Sequence, residues 1–298
     1  MIWVHRNYPD GFDDLSKAEM LACGLTQVSK RFFTGETFNL EASAYAGFSV
    51  EEMIRGHSAE EIIRDFPGEI PSPFRMEKLV GTYRYGSRTY ALLAHKYKKG
   101  DIRASDPASI ILVFTPDNGK TWIAGYLKEK KNSLVEKLSS VSGRTSVSLS
   151  AQAALAMVHL APGNPVIDPC CGTGLIPLAS VLLGRETLAA DNNYKMIRHA
   201  RQNRDELNLN LEIPRKDAFE PWHDGGCLVS DFPADRNWTT SEKDLGLQLF
   251  RAWIPHISSF CVILPEKVVE KLPRTIQISS LVPFTANRSI VVGTVKNG

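Results

Sequence analysis

The chain has 298 residues, of which 43% are hydrophobic and 23% charged, and this ordinary globular composition excludes a mainly disordered protein. The length suits two domains, and a net charge of +2 over the whole chain indicates no particular partner. The five cysteines are an odd number and are scattered along the chain, which does not fit a disulfide framework, so a reducing compartment is expected.

The first residues, MIWVHRNYPDGFDD, do not have the basic segment followed by an apolar core that marks a secretory signal peptide. No apolar run in the sequence approaches the roughly 20 residues that a helix needs to cross a bilayer. We therefore expect a soluble cytoplasmic protein without a membrane partner.

Residues 1–141 show the mixed pattern of an α+β domain. LSKAEMLACGL (15–25) and SVEEMIRGHSAEEIIRDF (49–66) are predicted helices, and Ser49 with Glu52 three residues later has the spacing of a capping box for the second one. TYALLAHKY (89–97) and SIILVFTP (109–116) are predicted strands.

A basic segment within this region is hidden by the average charge. Residues 75–103 contain eight basic and two acidic residues, a net charge of +6, and tyrosines are interleaved with them, whereas residues 1–70 have a net charge of −6. Such a segment can bind phosphates and stack unpaired bases on aromatic rings. We expect it to bind RNA through Arg84, Arg88, Lys98 and Lys99; the alternative is an ordinary strand with packed tyrosines and solvated lysines.

The polar stretch LSSVSGRTSVSLS (138–150) predicts a domain boundary near Ser142, giving domains 1–141 and 142–298. After it, predicted helices at 151–161, 175–184 and 195–207 alternate with predicted strands at 165–168, 187–191 and 227–232. This alternation is typical of a parallel sheet with helices on its faces.

The end of the chain breaks that rhythm. SEKDLGLQLFRAWI (241–254) is a predicted helix and FCVILP (260–265) a predicted strand. TIQISSLVPF and RSIVVGTVK follow as two strands joined by the short turn TAN (285–287), so we expect the parallel sheet to finish in an antiparallel hairpin.

The segment DPCCGTG (168–174) joins the first predicted strand of this region to the next helix. Ligands of open α/β sheets bind at the carboxyl ends of the strands. Gly172 and Gly174 allow a tight turn that brings backbone N–H groups close to a ligand, which suits a carboxylate or a ribose. A dinucleotide fingerprint would need glycine where Pro177 stands, which disfavours NAD. No Cys or His pairs at ligand spacing accompany the two cysteines, so no metal site is expected, and the cysteines fill the turn as small apolar residues.

Two later aspartates follow the next strands. Asp191, nineteen residues after Gly172, ends TLAAD and is expected to hold ribose hydroxyls. Asp217 ends a third short strand, where its side chain could meet an adenine amino group while Ala218 offers a backbone contact and Phe219 an apolar one. Each aspartate alone could be a solvated loop end, but together they mark three successive strand ends.

DPCCGTGLIPLA resembles the DPFCGTGTILIEA loop of class I S-adenosylmethionine-dependent methyltransferases, and SLSAQAALAMVHLA (148–161) resembles the lead-in of the THUMP-domain tRNA methyltransferases that modify guanine N2. The resemblance covers about residues 145–235. It implies an α/β fold, a Rossmann-like methyltransferase domain preceded by an α+β THUMP-like RNA-binding region, with S-adenosylmethionine as cofactor and tRNA as partner. The implied cofactor-binding residues are Asp168 at the methionine end, Cys170, Gly172, Thr173, Gly174, Asp191, Asn192, Asp217 and Ala218.

The fourth strand of the family is followed by Asp or Asn, two prolines and an aromatic residue. In CLVSDFPADRNW, Asp231 is in place, Phe232 and Pro233 replace the prolines, and Ala234 replaces the aromatic residue. A carboxylate and a backbone carbonyl that accept the hydrogens of an exocyclic amine direct its lone pair toward the methyl sulfonium. We therefore expect Asp231 to be catalytic and Phe232 and Pro233 to contact the substrate, with base stacking by Phe232 or by Trp238.

Three functions remain open from the sequence. The first is methyl transfer to an exocyclic amine in structured RNA, guanine N2 of tRNA. The second is a noncatalytic RNA-binding protein or partner subunit that keeps the methyltransferase fold. The third is a DNA amino-methyltransferase, which shares the loop chemistry but does not explain a THUMP-like region before it.

Overall fold

The computed structural model describes residues 1–8, 11–66, 73–80, 83–86, 107–117, 119–131, 133–233, 245–285 and 287–296. The chain forms two compact units. The first contains Met1–Asn7, Cys23–Leu40 and Ala46–Lys131, and the second contains Tyr8–Ala22, Glu41–Tyr45 and Asn132–Gly298. Of the predicted RNA-binding residues, Arg88, Lys98 and Lys99 lie outside the described part of the chain, and only the backbone of Arg84 lies within it.

The first unit is built on an eight-stranded sheet with the strand order β2-β3-β1-β4-β8-β7-β5-β6. Its strands are β1 (Ile2–Arg6), β2 (Thr26–Gln27), β3 (Phe32–Gly35), β4 (Ala46–Gly56), β5 (Phe74–Val80), β6 (Tyr83–Gly86), β7 (Ser109–Phe114) and β8 (Trp122–Glu129). The strand predicted from SIILVFTP is β7, whereas TYALLAHKY lies outside the described residues.

The helix predicted over residues 49–66 is wrong for its first half, because residues 46–56 form strand β4. This strand lies between β1 and β8 and pairs with both in antiparallel register. A short helix, α2 (Ala59–Asp65), follows, and its cap is Ser58, whose side chain accepts a hydrogen bond from the Glu61 N–H at 3.1 Å. The Ser-x-x-Glu pattern occurs twice within residues 49–61, and pairing of the first copy with two neighbouring strands decides which copy caps a helix.

The second unit is built on a six-stranded sheet with the strand order β10-β9-β11-β12-β14-β13. Strands β9 to β12 are parallel, and β14 is antiparallel to both β12 and β13, so the predicted terminal hairpin is present. The strands are β9 (Val166–Asp168), β10 (Thr187–Ala189), β11 (Cys227–Asp231), β12 (Ser259–Pro265), β13 (Ile276–Thr285) and β14 (Arg288–Val295).

The described helices of this unit are α1 (Asp13–Ala22), α3 (Leu134–Ser140), α4 (Ala151–Leu160), α5 (Leu175–Leu182), α6 (Tyr194–Glu206), α7 (Leu245–Trp253) and α8 (Glu266–Val269), with a 3₁₀ turn at Ile254–His256. The third strand predicted to end at Asp217 is absent from the described residues. A single parallel bridge between Asp191 and Arg215 stands in its place. None of the described helices is both long and apolar enough to cross a membrane.

The unit boundary differs from the predicted one near Ser142. Helix α3 carries a capping box formed by Ser133 and Glu136 and packs against α4 and α5, so it belongs to the second unit although it precedes the polar stretch. Helix α1 also belongs there, because it contacts α4 and β13. The polar composition of residues 138–150 therefore marks a surface connection within the second unit.

A buried carboxylate ties the segment 41–45 to α1. Glu19 on α1 is fully buried and accepts hydrogen bonds from the backbone N–H groups of Ala44 at 2.5 Å and Tyr45 at 3.0 Å and from the Ser43 hydroxyl at 3.2 Å. Buried carboxylates require such partners, because their desolvation is costly. Two short stretches of the N-terminal third of the chain thereby become part of the second unit.

Candidate active site

A cavity of about 450 Å³ opens at the carboxyl end of the parallel strands of the second unit. Its volume lies within the roughly 300–1,000 Å³ of ligand pockets. The loops after β9, β10 and β11 and the segment 217–219 supply most of the wall, and residues of α6, α7 and β14 together with Val147 complete it. The lining residues are Val147, Pro169, Cys170, Gly172, Asp191, Asn192, Asn193, Met196, Asp217, Ala218, Phe219, Asp231, Phe232, Pro233, Leu245, Leu249 and Arg288.

The two glycines of the DPCCGTG loop differ in their surroundings and in their structural roles. Gly172 has a φ of +54° and lines the cavity, and its N–H donates to Oδ2 of Asp191 at 2.8 Å. Gly174, with a φ of +86°, precedes α5, and a Cβ atom there would lie 3.1 Å from the Cβ of Ala200 on α6. Only Gly172 is therefore at the cavity, while Gly174 permits close packing of the loop against α6.

Asp168 is buried at the end of β9 and lines a smaller cavity of about 100 Å³ that shares Cys170 and Gly172 with the main one. Its Oδ1 accepts hydrogen bonds from the Ser230 hydroxyl at 2.7 Å and the Cys170 N–H at 3.2 Å. Burial raises the pKa of Asp168 to about 8, against the effect of these two bonds. The carboxyl group therefore holds a proton at neutral pH until a cation replaces it.

Thr173 does not reach the main cavity. It lines the smaller one, where its hydroxyl lies 3.0 Å from the Ser148 hydroxyl, and its carbonyl accepts a hydrogen bond from the Asn203 side chain at 2.8 Å. Its described contacts thus hold the loop to the segment before α4 and to α6.

Asp191 follows β10 and lines the main cavity. Its carboxylate accepts hydrogen bonds from the N–H groups of Gly172 and Asn193, both at 2.8 Å, and burial raises its pKa despite them. Asn192 is exposed at the rim, and its carbonyl accepts a hydrogen bond from Arg215 at 2.9 Å. Both residues line the main cavity, and the ribose contact expected of Asp191 stays a prediction.

The segment 217–219 also forms part of the cavity wall. Asp217 is exposed, and its Oδ1 accepts the Phe219 N–H at 2.9 Å, so part of this carboxylate stabilises its own turn. Ala218 is buried, and its carbonyl accepts a hydrogen bond from the Trp253 indole at 2.8 Å. The ring of Phe219 is 44% exposed and offers the cavity an apolar surface.

Asp231 ends β11 and forms an ion pair with Arg288, the first residue of β14. The same Nη2 atom of Arg288 lies 3.3 Å from the carbonyl oxygen of Phe232. Burial raises the pKa of Asp231, while the charge of Arg288 acts in the opposite direction. Both side chains are about one quarter exposed and line the cavity.

Sequence reasoning missed Arg288. A signal was present, because an antiparallel partner of β12 must begin at the edge where parallel strands end. Met196, Leu245 and Leu249 were also missed, since apolar residues on helices show no chemistry in the sequence.

Phe232 lines the cavity but is mostly buried, so stacking of its ring on a base stays a prediction. Its side chain is only 2% exposed and packs in the core, with its ring centroid 6.4 Å from that of Phe250. The strong local preference for burying an aromatic ring beside Phe250 explains this orientation. Pro233 lines the cavity, whereas Ala234 and Trp238 lie outside the described residues.

The two adjacent cysteines have neutral thiols. Burial, together with the nearby aspartates, raises the pKa of Cys170 and of Cys171 well above the ordinary value. A thiol is a poor nucleophile and metal ligand unless it is deprotonated. Their packing in the turn agrees with their expected role as small apolar residues.

The donor set of the cavity suits a cationic ligand that also carries hydroxyl groups. Asp191 and Asp231 line the main cavity, Asp168 lines the adjoining smaller cavity from the strand between theirs, and Arg288 is the one cation among the described lining residues of the main cavity. Carboxylates in such a buried setting favour ammonium or sulfonium groups and accept hydrogen bonds from hydroxyls.

Comparison with solved structures finds several that match this chain over nearly its whole length. TrmN from Thermus thermophilus is 18% identical with a TM-score of 0.56, and each chain is covered completely. A predicted N6-adenine-specific DNA methylase from Listeria monocytogenes is 13% identical with a TM-score of 0.52, with 99% of this chain and 96% of that one covered. SMU.472, assigned as a methyltransferase and crystallised with SAH, is 14% identical with a TM-score of 0.50, with 100% and 98% covered.

The fold is that of the class I methyltransferases. The predicted Rossmann-like architecture is therefore confirmed, with an additional unit that contains most of the first 131 residues. No protein-family model matches the sequence, and no curated protein matches it either.

Proposed function

We propose that this protein transfers a methyl group from S-adenosylmethionine to the exocyclic amine of a base in structured RNA, namely guanine N2 of tRNA. The observation that carries the proposal is the position of three aspartates at the ends of β9, β10 and β11, around two adjoining cavities: Asp191 lines the main cavity, Asp168 lines the smaller one, and Asp231 lines both. The three aspartates occupy positions suited, in this order, to the amino-acid end of the cofactor, its ribose and the acceptor amine.

The residues of the cavity fit this cofactor. Bound there, S-adenosylmethionine supplies an electrophilic methyl group on a positively charged sulfur. Asp168 would bind its ammonium group, Asp191 its ribose hydroxyls, and Phe219 would cover the apolar face of the adenine. The absence of a side chain at Gly172 leaves that part of the wall open, because no atom beyond its two chain neighbours lies within 4 Å of where its Cβ would be.

Asp231 and the Phe232 carbonyl would prepare the acceptor. An aromatic amine is a weak nucleophile because its lone pair is conjugated with the ring. Two acceptors that bind its two hydrogens pyramidalise the nitrogen and direct the lone pair toward the methyl group. The acceptor nitrogen would have to lose one proton on methylation, and the raised pKa of the buried Asp231 would make this carboxylate a competent acceptor for that proton.

The class of substrate rests on separate support. The net charge of +6 over residues 75–103 favours a polyanion, and the interleaved tyrosines favour unpaired bases. The fold similarity to a predicted N6-adenine-specific DNA methylase supports an amine acceptor and favours a second candidate, a DNA amino-methyltransferase. The THUMP-like character of the first unit is part of the proposal, as are Arg84, Arg88, Lys98 and Lys99 as RNA contacts.

The test combines cofactor binding with methyl transfer. Calorimetry should show saturable binding of S-adenosylmethionine to the wild type and to Asp231→Asn. Labelled methyl transfer should reach tRNA but not duplex DNA, and Asp231→Asn should reduce it at least about 100-fold. Asp224→Asn is the matched control, because Asp224 is exposed before β11 and pairs with His256 away from the cavity.

Each outcome selects one function. Transfer to duplex DNA in preference to tRNA would identify the DNA amino-methyltransferase. Absence of both cofactor binding and transfer would identify a noncatalytic protein that keeps this fold. Full activity of Asp231→Asn would remove Asp231 from the mechanism. Nucleoside analysis of tRNA from cells lacking the gene would then identify the methylated base.

A further inference from the structure

The acceptor end of the cavity is already bound by a side chain of the protein itself. Nη2 of Arg288 contacts Oδ1 of Asp231 and lies 3.3 Å from the carbonyl oxygen of Phe232. These are the two acceptors that the proposed function assigns to the substrate amine. One nitrogen atom of Arg288 therefore bridges both of them.

This nitrogen has the chemistry of a base amino group. The Nη2 of a guanidinium group is a planar, conjugated NH₂ with two hydrogens and no acceptor capacity. The exocyclic amines of guanine, adenine and cytosine are likewise planar, conjugated NH₂ groups. The position of Nη2 therefore marks where a base amine would be held with one hydrogen on each acceptor.

The backbone of Arg288 is fixed, so only its side chain can leave this position. Arg288 pairs with Pro265 on β12 and with Thr285 on β13, and the neighbouring Asn287 carbonyl accepts the Glu266 N–H at 2.9 Å. The side chain is 24% exposed at the cavity wall, and its buried Nε atom has no hydrogen-bond partner among the described residues. The guanidinium is thus held mainly through Nη2 and has an open cavity beside it.

We propose that Nη2 of Arg288 occupies the acceptor-amine subsite until a base amine displaces it, and that this competition restricts the reaction to primary amines and to a single methylation. The proposal rests on the proposed function for its catalytic part. An incoming NH₂ group replaces both hydrogen bonds of Arg288, whereas a hydroxyl group has one hydrogen and leaves one buried acceptor without a partner.

The methylated product, like a hydroxyl group, has too few hydrogens to satisfy both acceptors. An N-methyl amine keeps a single N–H hydrogen, so it can satisfy either Asp231 or the Phe232 carbonyl, but not both. Arg288 then returns to the subsite with two hydrogen bonds, one of them to a charged group. Release of the monomethylated base is favoured over a second transfer.

The first experiment examines binding without catalysis. Methylguanidinium, at millimolar concentration, is titrated into Arg288→Ala, the wild type and the double variant Arg288→Ala with Asp231→Ala, and binding is followed by calorimetry. We expect Arg288→Ala to bind it at least about tenfold more tightly than the other two proteins. Equal binding to all three would overturn the subsite.

The second experiment measures product and kinetics with Arg288→Met and with Arg251→Met, an exposed arginine on α7 that contacts the Lys271 carbonyl, as the control. Arg288→Met should lower the acceptor KM several-fold, and the dimethylated nucleoside should become a major product in nucleoside mass spectrometry. Arg251→Met should match the wild type. A fall in kcat with unchanged KM and only monomethylated product would show that Arg288 merely orients Asp231, and would overturn the competition.

The two experiments separate this inference from the proposed function. Selective methylguanidinium binding to Arg288→Ala, with no methyl transfer by the wild type to any nucleic acid, would keep the subsite and reject the methyltransferase activity. Thermal unfolding of each variant verifies that it is folded before either measurement.

Discussion

Ser230 donates its hydroxyl hydrogen to Oδ1 of Asp168 at 2.7 Å, and both side chains are buried at the ends of neighbouring strands. This bond stabilises the charged form of Asp168, yet burial outweighs it and raises the pKa of the carboxyl group to about 8. The carboxyl group of Asp168 therefore carries a proton at neutral pH, and a cation that binds beside it must displace that proton.

Ligand binding should release a proton from Asp168. Because its pKa in the free protein is about 8, the carboxyl group is protonated between pH 6 and 7, and only its deprotonated form binds an ammonium group well. The affinity for S-adenosylmethionine should rise up to about tenfold per pH unit in this range. Calorimetry in buffers of different ionisation enthalpy should show about one proton released. Asp168→Asn should abolish the proton release, and a pH-independent affinity in the wild type would contradict the prediction.

The two ends of α5 offer a test of glycine packing. Gly184→Ala, at a φ of +73° with open space around it, should cost about 1–2 kcal/mol of unfolding free energy through backbone strain alone. Gly174→Ala adds a contact of 3.1 Å with Ala200 and should cost about 1 kcal/mol or more beyond that. Urea denaturation compares the two variants. Equal losses of unfolding free energy would show that the loop shifts to accommodate the added methyl group at no energetic cost.

Two neighbouring tryptophans differ in the satisfaction of their indole N–H groups. Trp253 donates to the Ala218 carbonyl at 2.8 Å, whereas the buried Nε1 of Trp222 has no partner among the described residues. Trp253→Phe should therefore destabilise the second unit by about 1–2 kcal/mol more than Trp222→Phe, and it should also weaken cofactor binding by loosening residue 218. Similar losses in urea denaturation would mean that the bond to Ala218 contributes little.

Glu19 should be more important for stability than its exposed counterparts. Glu19→Ala leaves the buried N–H groups of Ala44 and Tyr45 without their acceptor and should cost about 3 kcal/mol or more of unfolding free energy. Glu36→Ala, at an exposed site, should change it by less than about 0.5 kcal/mol. Chemical denaturation at pH 7 measures both, and a Glu19→Ala loss as small as that of Glu36→Ala would refute the structural role.

The sequence predicted the second unit well because its signals are local. Alternating helices and strands, the glycines of the DPCCGTG loop and the aspartates after consecutive strands each follow from short stretches of chain. The convergence of Asp168, Asp191 and Asp231 follows from one rule, since parallel strands end at the same edge of a sheet.

The features that sequence reasoning missed depend on distant partners. Ser49 and Ser58 head the same Ser-x-x-Glu pattern, and only the pairing of β4 with β1 and β8 distinguishes them. The membership of α1 in the second unit follows from its contacts with α4 and β13, and that of residues 41–45 follows from their hydrogen bonds to Glu19; no periodicity shows either. Arg288 reaches Asp231 from 57 residues away through the register of an antiparallel strand.

The position of β14 has a consequence for biosynthesis. During translation, β9 to β12 leave the ribosome before residue 288 does, and until β14 arrives β12 has an open edge that can pair with other chains. During this time Asp231 also lacks its ion-pair partner, Arg288. The nascent chain therefore gains a complete cavity only after nearly all of the described sequence has emerged, so we expect cofactor capture to follow synthesis and to depend on protection of the β12 edge until then.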